Sequence, residues 1–190
     1  MSTVAPSRPM TTEEMDALPD NGMERELVRG ELREEPMTQR NPWHSSIEAQ
    51  IAMLLRVWLR GRPKPRGRVA SGEVGTRLLR NPDTTVGIDV AYFSADVLAN
   101  TPASAVYFEG APSLAVETLS PSDTQKRINE KLDLYEEAGV PLIWLVDPVR
   151  QTILAYRAGE RPALFAVGQE IDAEPHLPGF RVPIADIFDF

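Results

Sequence analysis

The sequence predicts an α/β fold with a central mixed β-sheet and flanking helices. Two near-continuous apolar runs, Leu114-Ala115-Val116 and Leu142-Ile143-Trp144-Leu145-Val146, read as strands buried on both faces. A stretch with helical spacing lies between them, and strand–helix–strand order makes a parallel pair with a right-handed crossover. Shorter strand-like segments on either side read as hairpins, whose antiparallel strands make the sheet mixed.

Composition agrees with this class and narrows the chemistry. The chain has 190 residues, 42% hydrophobic and 25% charged, enough for one well-cored domain and short for two. We expect a single domain over residues 11–190 behind a flexible tail at 1–10, where Ser, Thr and two prolines show no periodicity. The absence of cysteine excludes disulfides, thiolate zinc sites and a cysteine nucleophile. Two histidines, His44 and His176, leave little room for a multi-histidine metal site. No run of 18 apolar residues suggests a membrane span. The N-terminus lacks a basic region followed by an apolar one, so a cytoplasmic protein is expected.

The elements follow in order. Thr11-Thr12-Glu13-Glu14 starts a short helix, with acids in its first turn, that ends near Pro19. Residues 24–28 and 31–37 flank Arg29-Gly30 as a hairpin. Asn41-Pro42 opens a longer helix, Pro being suited to the first helical position. Ile47, Ile51, Leu54, Leu55 and Trp58 recur at helical spacing until Gly61 stops it. Residues 61–67 are a Pro- and Gly-punctuated loop. Residues 68–70, 74–79 and 86–93 read as strands, the last the strongest. Residues 113–119 form the next strand. Residues 120–123 cap a helix running to about Ala138, which Gly139 terminates. Residues 141–146 form a strand, and 152–156 with 163–167 a hairpin. The C-terminal part is acidic and Pro-rich, and ends in an apolar stretch over 184–190 that either packs in the core or forms an interface.

Charge is distributed unevenly. The chain carries −8 overall, which read as an average argues against a nucleic-acid partner. From Arg56 to Arg80, however, eight basic residues face one acid, Glu73. That stretch contains Arg60, Arg62, Lys64, Arg66, Arg68 and Arg77. It reads either as a solvated loop or as a phosphate-binding surface, since Arg binds phosphate bidentately. Only three basic residues are Lys: Lys64, Lys126 and Lys131.

Two carboxylates interrupt strands that should be apolar. Asp89 lies in Val86-Gly-Ile-Asp-Val-Ala-Tyr-Phe93 and Glu117 in Leu114-Ala-Val-Glu-Thr-Leu119. A buried carboxylate is costly unless paired or bound to a metal. Two on one sheet suggest a shared site with oxygen ligands suited to Mg²⁺ or Mn²⁺; the alternative is that each lies on a solvated face or at a strand end. On the following helix, Ile128, Leu132 and Tyr135 define a buried stripe. Lys131 lies roughly 60° from its centre and Lys126 on nearly the opposite face. Lys131 can therefore lean toward Glu117 and stabilise developing negative charge, or it snorkels at the stripe edge.

These residues resemble a known family. Pro112-Ser-Leu-Ala-Val-Glu117-Thr-Leu-Ser-Pro-Ser-Asp123, then Lys131-Leu-Asp-Leu-Tyr135, Ala138-Gly-Val-Pro141 and Ile143-Trp-Leu-Val-Asp147-Pro148 are similar to the Uma-two family of candidate restriction endonucleases. Glu26-Leu-Val-Arg-Gly30-Glu31-Leu and His44 match the same family, so the likeness spans about residues 12–156. It implies a restriction-endonuclease-like core of the PD-(D/E)xK type. It implies Asp89 and Glu117 as catalytic and metal-binding acids, with the Thr118 carbonyl facing the same metal. It implies Lys131 as the catalytic lysine, and Glu26 and His44 as residues that complete the site or serve as a hairpin acid and a first-turn histidine. Two positions depart from the pattern: Ile88 stands where the family type has Pro, and Leu119 where it has lysine.

The implied activity is Mg²⁺- or Mn²⁺-assisted hydrolysis of phosphodiester bonds in DNA, with Arg60, Arg62, Lys64, Arg66, Arg68 and Arg77 as a backbone clamp. Its acidic remainder predicts weak, salt-sensitive DNA affinity. A homodimer is one arrangement for cutting both strands. The alternative is a nuclease-fold binding module whose catalysis has decayed, which Leu119 keeps open. A serine hydrolase lacks its Gly-x-Ser-x-Gly elbow, and no Walker or dinucleotide-binding glycine pattern is present.

Overall fold

A bent ribbon joins two sheets and sets the position of everything else. In the computed structural model, which describes residues 8–37, 41–121 and 123–189, the elements run α1 (Thr12–Asp16), β1 (Met23–Val28), β2 (Glu31–Pro36), α2 (Pro42–Arg60), β3 (Arg68–Ser71), β4 (Thr76–Leu79), β5 (Thr84–Val86) and β6 (Val90–Phe93). They continue with α3 (Ala95–Asn100), β7 (Phe108–Glu109), β8 (Leu114–Thr118), α4 (Gln125–Glu137), β9 (Leu142–Asp147), β10 (Thr152–Arg157), β11 (Ala163–Ala166), β12 (Glu170–Asp172), β13 (Arg181–Pro183) and α5 (Ile184–Ile187). Of the expected tail at 1–10, residues 1–7 lie outside the described residues, as does Ser122 of the expected capping loop.

One sheet has the order β2-β1-β5-β4-β7, a second β11-β10-β9-β8-β6-β3, and β12 pairs with β13. The expected parallel pair is β8–β9, with α4 as its crossover. The antiparallel partners β6 and β10 flank it, so the six-stranded sheet is mixed as expected.

The strand expected over 86–93 is two strands in two sheets. β5 pairs with β4 in the first sheet, and β6 pairs with β3 in the second. The chain changes sheets through Gly87-Ile88-Asp89, while the partner ribbon changes at residues 72–75. The two bends are tied together by Gly72 N–H to the Asp89 carbonyl at 2.9 Å and by Val74 N–H to the Ile88 carbonyl at 2.7 Å. Gly87 lets the Glu73 carboxylate close over the bend: a Cβ would lie 2.0 Å from its Oε2, so any other residue would displace that side chain. Apolar spacing reads straight through such a bend, since residues on both sides of it stay buried.

Helices cover both faces of the six-stranded sheet. Ile47, Ile51 and Leu55 of α2 pack with Val90, Leu114, Val116, Trp144 and Val146. Leu132, Leu134 and Tyr135 of α4 pack with Ala91, Phe93, Ala115, Ile143 and Leu145. The alternation along each strand divides these sets, as the pleat requires. Burying each large side chain contributes roughly 1.5–3 kcal/mol.

Local signals explain the helix ends. Asn41 caps α2 by accepting from Trp43 N–H, with Pro42 in the first turn. The cap of α4 is Thr124, one residue past the expected capping loop, and it accepts from Arg127 N–H; Asp123 of that loop accepts from Ser120 N–H at 2.6 Å. α3 and β7 occupy a stretch to which the pattern assigned no element. Ile184 and Ile187 are fully buried, so this part of the apolar C-terminal stretch packs in the core, while Phe190 lies outside the described residues. Among the described residues, no helix is long and apolar enough to cross a membrane.

Candidate active site

Strand register brings the two carboxylates together. β6 and β8 pair antiparallel with Val90 opposite Val116. One further step along that register sets Asp89 beside Glu117. Both are buried, at 3% and 8% exposure. Both line one cavity of about 500 Å³, together with Glu26, His44, Thr118 and Lys131.

Each acid is held by specific donors. Glu117 shares the strand face of Ala115, which is covered by α4, so α4 supplies its partners. Lys131 Nζ donates to Glu117 Oε2 at 2.8 Å and to the Gly87 carbonyl at 3.3 Å. The Tyr135 hydroxyl donates to Glu117 Oε1. Asp89 Oδ2 accepts from Thr118 N–H at 2.7 Å. From the other face, the first turn of α2 contributes His44. Its Nε2 donates to the Thr118 carbonyl at 2.9 Å and lies 3.3 Å from Asp89 Oδ2, while Nδ1 lies 2.7 Å from Glu48 Oε1. Glu26 Oε1 accepts from Gly87 N–H at 3.2 Å.

The electrostatics follow from this packing. Burial pushes the Glu117 carboxyl up to about 7, and Asp89 adds to that while Lys131 opposes it. Burial also works to raise Asp89, but the hydrogen bond and charge of His44 hold it below its ordinary value. Burial opposes the His44 charge, but hydrogen bonds to Asp89 and Glu48 raise it to about 10. Both its ring nitrogens face acceptors, so the ring carries both protons. Burial likewise works against the Lys131 charge, and Glu117 and Glu26 overcome it, so its pKa is raised.

The chain matches the family model Uma2, described as "Putative restriction endonuclease", over residues 12–185. The chain belongs to the Uma2 family. A crystal structure of a "putative nuclease belonging to DUF820" from Anabaena variabilis ATCC 29413 shares the fold of this Uma2 member, with a TM-score of 0.76. The likeness covers 95% of this chain and 98% of that one at 22% identity. The core is restriction-endonuclease-like. No curated protein matches the sequence.

Within this Uma2 chain the predicted site residues separate into two groups. Asp89, Glu117, Thr118, Lys131, Glu26 and His44 meet in the cavity. The basic stretch does not. Arg60 ends α2, 16 residues and so about 24 Å along the axis from His44. Arg60, Lys64, Arg66 and Arg68 are exposed and none lines the cavity. Arg62 stacks over the Trp58 ring, 5.1 Å from its centroid. Arg77 departs most from its expected role. It is 5% exposed and sits 2.8 Å from Glu13 and 3.9 Å from Glu109, because β4 belongs to the other sheet and points it inward.

Sequence reasoning missed Glu48, which pairs with His44 but does not line the cavity, and several residues that do. Glu48 follows His44 by four residues on one helix face, a signal present in the chain but masked by the apolar stripe around it. Tyr135 was readable only as core. Glu73, at φ +50 in the bend between β3 and β4, and Arg33 and Arg127 reach the cavity through tertiary contacts alone.

Proposed function

We propose that this chain is a divalent-metal-dependent endonuclease that hydrolyses phosphodiester bonds in DNA. The observation that carries this reading is the convergence of Asp89, Glu117 and Thr118 at one end of the sheet, with Lys131 on Glu117, in a family described as "Putative restriction endonuclease". The donor set is all oxygen, which fits Mg²⁺ or Mn²⁺. Beside that set, His44, Glu48 and Asp89 form a buried group whose polar atoms lie within 4.8 Å of one another; with both ring nitrogens protonated, His44 acts there as a donor, and Glu48 is the added acceptor.

Asp89, Glu117 and the Thr118 carbonyl hold the cation in this reading. A bound divalent cation supplies phosphate polarisation and a water of lowered pKa. The remaining roles belong to the chain's own groups. Lys131 Nζ offsets negative charge as it builds on the phosphate. Glu26 fixes the Gly87 amide, whose carbonyl accepts from Lys131, so it positions the lysine. His44 orients the Thr118 carbonyl and Asp89.

Asp89→Ala and Glu117→Ala are each expected to lower Mn²⁺-dependent nicking of supercoiled plasmid by about 10³-fold or more, with the circular dichroism of the fold retained. Activity near that of the wild type in either variant overturns the assignment. Leu119 in the usual lysine position favours a second reading, a nuclease-fold module that binds DNA without cutting it. Wild-type protein that binds duplex DNA but does not nick with Mn²⁺ supports that module.

A further inference from the structure

The cavity of Asp89 and Glu117 is an unfavourable entrance for a phosphate. Eight carboxylate side chains line it, against the cations Arg33, Arg127 and Lys131 and the buried His44. Lys131 is engaged with Glu117. Arg33 and Arg127 are the cations with substantial exposure, at 37% and 51% of their side chains.

Both already hold a carboxylate. Arg33 donates twice to Glu130, at 2.8 and 2.5 Å. Arg127 Nη2 lies 2.7 Å from Glu35 Oε1. The two pairs run in opposite directions between β2 and α4. Residues 33 and 35 share one side of a strand, and residues 127 and 130 share one face of a helix. Four charges that sum to zero therefore bridge hairpin and helix beside the site.

The square is built for exchange. A guanidinium fork matches a phosphodiester as well as a carboxylate. The Arg127–Glu35 pair is exposed and weak; the Arg33–Glu130 fork is half-buried and bidentate and holds more tightly, so its exchange relies on the phosphodiester offering the same two acceptors. We propose that Arg33 and Arg127 are the substrate-phosphate contacts of this site, exchanging Glu130 and Glu35 for phosphodiester oxygens as nucleic acid binds. The choice of a phosphodiester as ligand rests on the nuclease reading. In the absence of phosphate, the same pairing neutralises both arginines.

The two halves of each pair are expected to act in opposite directions on binding, which a purely structural role does not produce. The probe is a short fluorescent duplex, titrated with the full chain in EDTA across a salt series. Arg33→Gln and Arg127→Gln should each weaken binding by about tenfold, and each should flatten the log K against log salt slope by about 1. Glu35→Gln and Glu130→Gln should tighten binding. Arg29→Gln is the control. It breaks a third hairpin–helix pair, Arg29–Glu137 at 2.7 Å, whose residues do not line the cavity, and should leave the slope unchanged.

Arginine variants with the wild-type slope overturn the proposal, and so does an equal loss in Arg29→Gln or weaker binding in the glutamate variants. If the wild type nicks plasmid while those slopes stay unchanged, the nuclease reading stands and this inference falls. A wild type that neither binds duplex nor nicks removes both.

Discussion

Helix α2 joins two regions of opposite character. Its first turns place His44 and Glu48 against Asp89 and Thr118, where every charge is buried and has a named partner at 2.7–3.3 Å. Its last turn runs into Arg60, Lys64 and Arg66, all exposed. A buried charge must be compensated, so its surroundings are specified by the fold. Exposed charges carry little such constraint. In the proposed reading the acids in apolar strands carry the chemistry, while most of the arginine run is a solvated surface, Arg77 being its buried exception. The +7 stretch is the conspicuous feature of the sequence, and the quieter interruptions at Asp89 and Glu117 are the ones that meet.

The largest effect that tests this contrast is expected at Lys131. Lys131→Met removes the half-buried cation on Glu117 and leaves Glu117 with Tyr135 as its remaining donor. Single-turnover nicking should fall by about 10²–10³-fold, and Lys131→Arg should recover part of it. A methionine variant within about threefold of the wild type would break the claim that the buried end carries the chemistry.

Acidity probes the buried end alone, because exposed arginines do not titrate near neutrality. Glu117, pushed up to about 7 by burial and by Asp89, binds a cation only as the carboxylate. Its folded-state pKa is above the ordinary value, so the ligand form is lost as pH falls through about 7. The nicking rate should drop about tenfold per pH unit below that point and level off above it. A cation favours the ionised form, so more Mn²⁺ should move the midpoint to lower pH. A flat profile between about pH 5 and 8 would detach Glu117 from the rate.

Much of the buried end was legible in the chain. The β8–α4–β9 unit follows from two apolar runs around an amphipathic helix, and Lys131 from its angle to the stripe of Leu132 and Tyr135. Asp89 and Glu117 stood out because an acid in such a run has no inexpensive place to go. The bend at Gly87-Ile88-Asp89 was not legible, since hydrophobic alternation is blind to a strand that changes sheets while staying buried. Arg33, Arg127 and Glu73 were not legible either, because their places depend on long-range packing of a hairpin, a helix and a bend. Arg77 misled for the converse reason. An arginine in a basic run carries no local sign that the fold will bury it against Glu13.

The smallest expected effect sharpens the contrast at its exposed end. The end of α2 lies about 24 Å from His44, which corresponds to about seven base pairs of duplex. A substrate confined to the cavity mouth ends short of Arg60, whereas a longer duplex lying along the helix can touch both regions. Arg60→Gln with Arg66→Gln should therefore weaken binding a few-fold for duplexes much longer than about seven base pairs, and leave shorter ones nearly unchanged. Arg33→Gln should act at both lengths. Titrating both variants against a length series of labelled duplexes separates a contact beside the chemistry from one that only extends the footprint. Equal losses at every length would mean that the basic loop approaches the cavity, and the two ends of α2 would then have to be read as one surface.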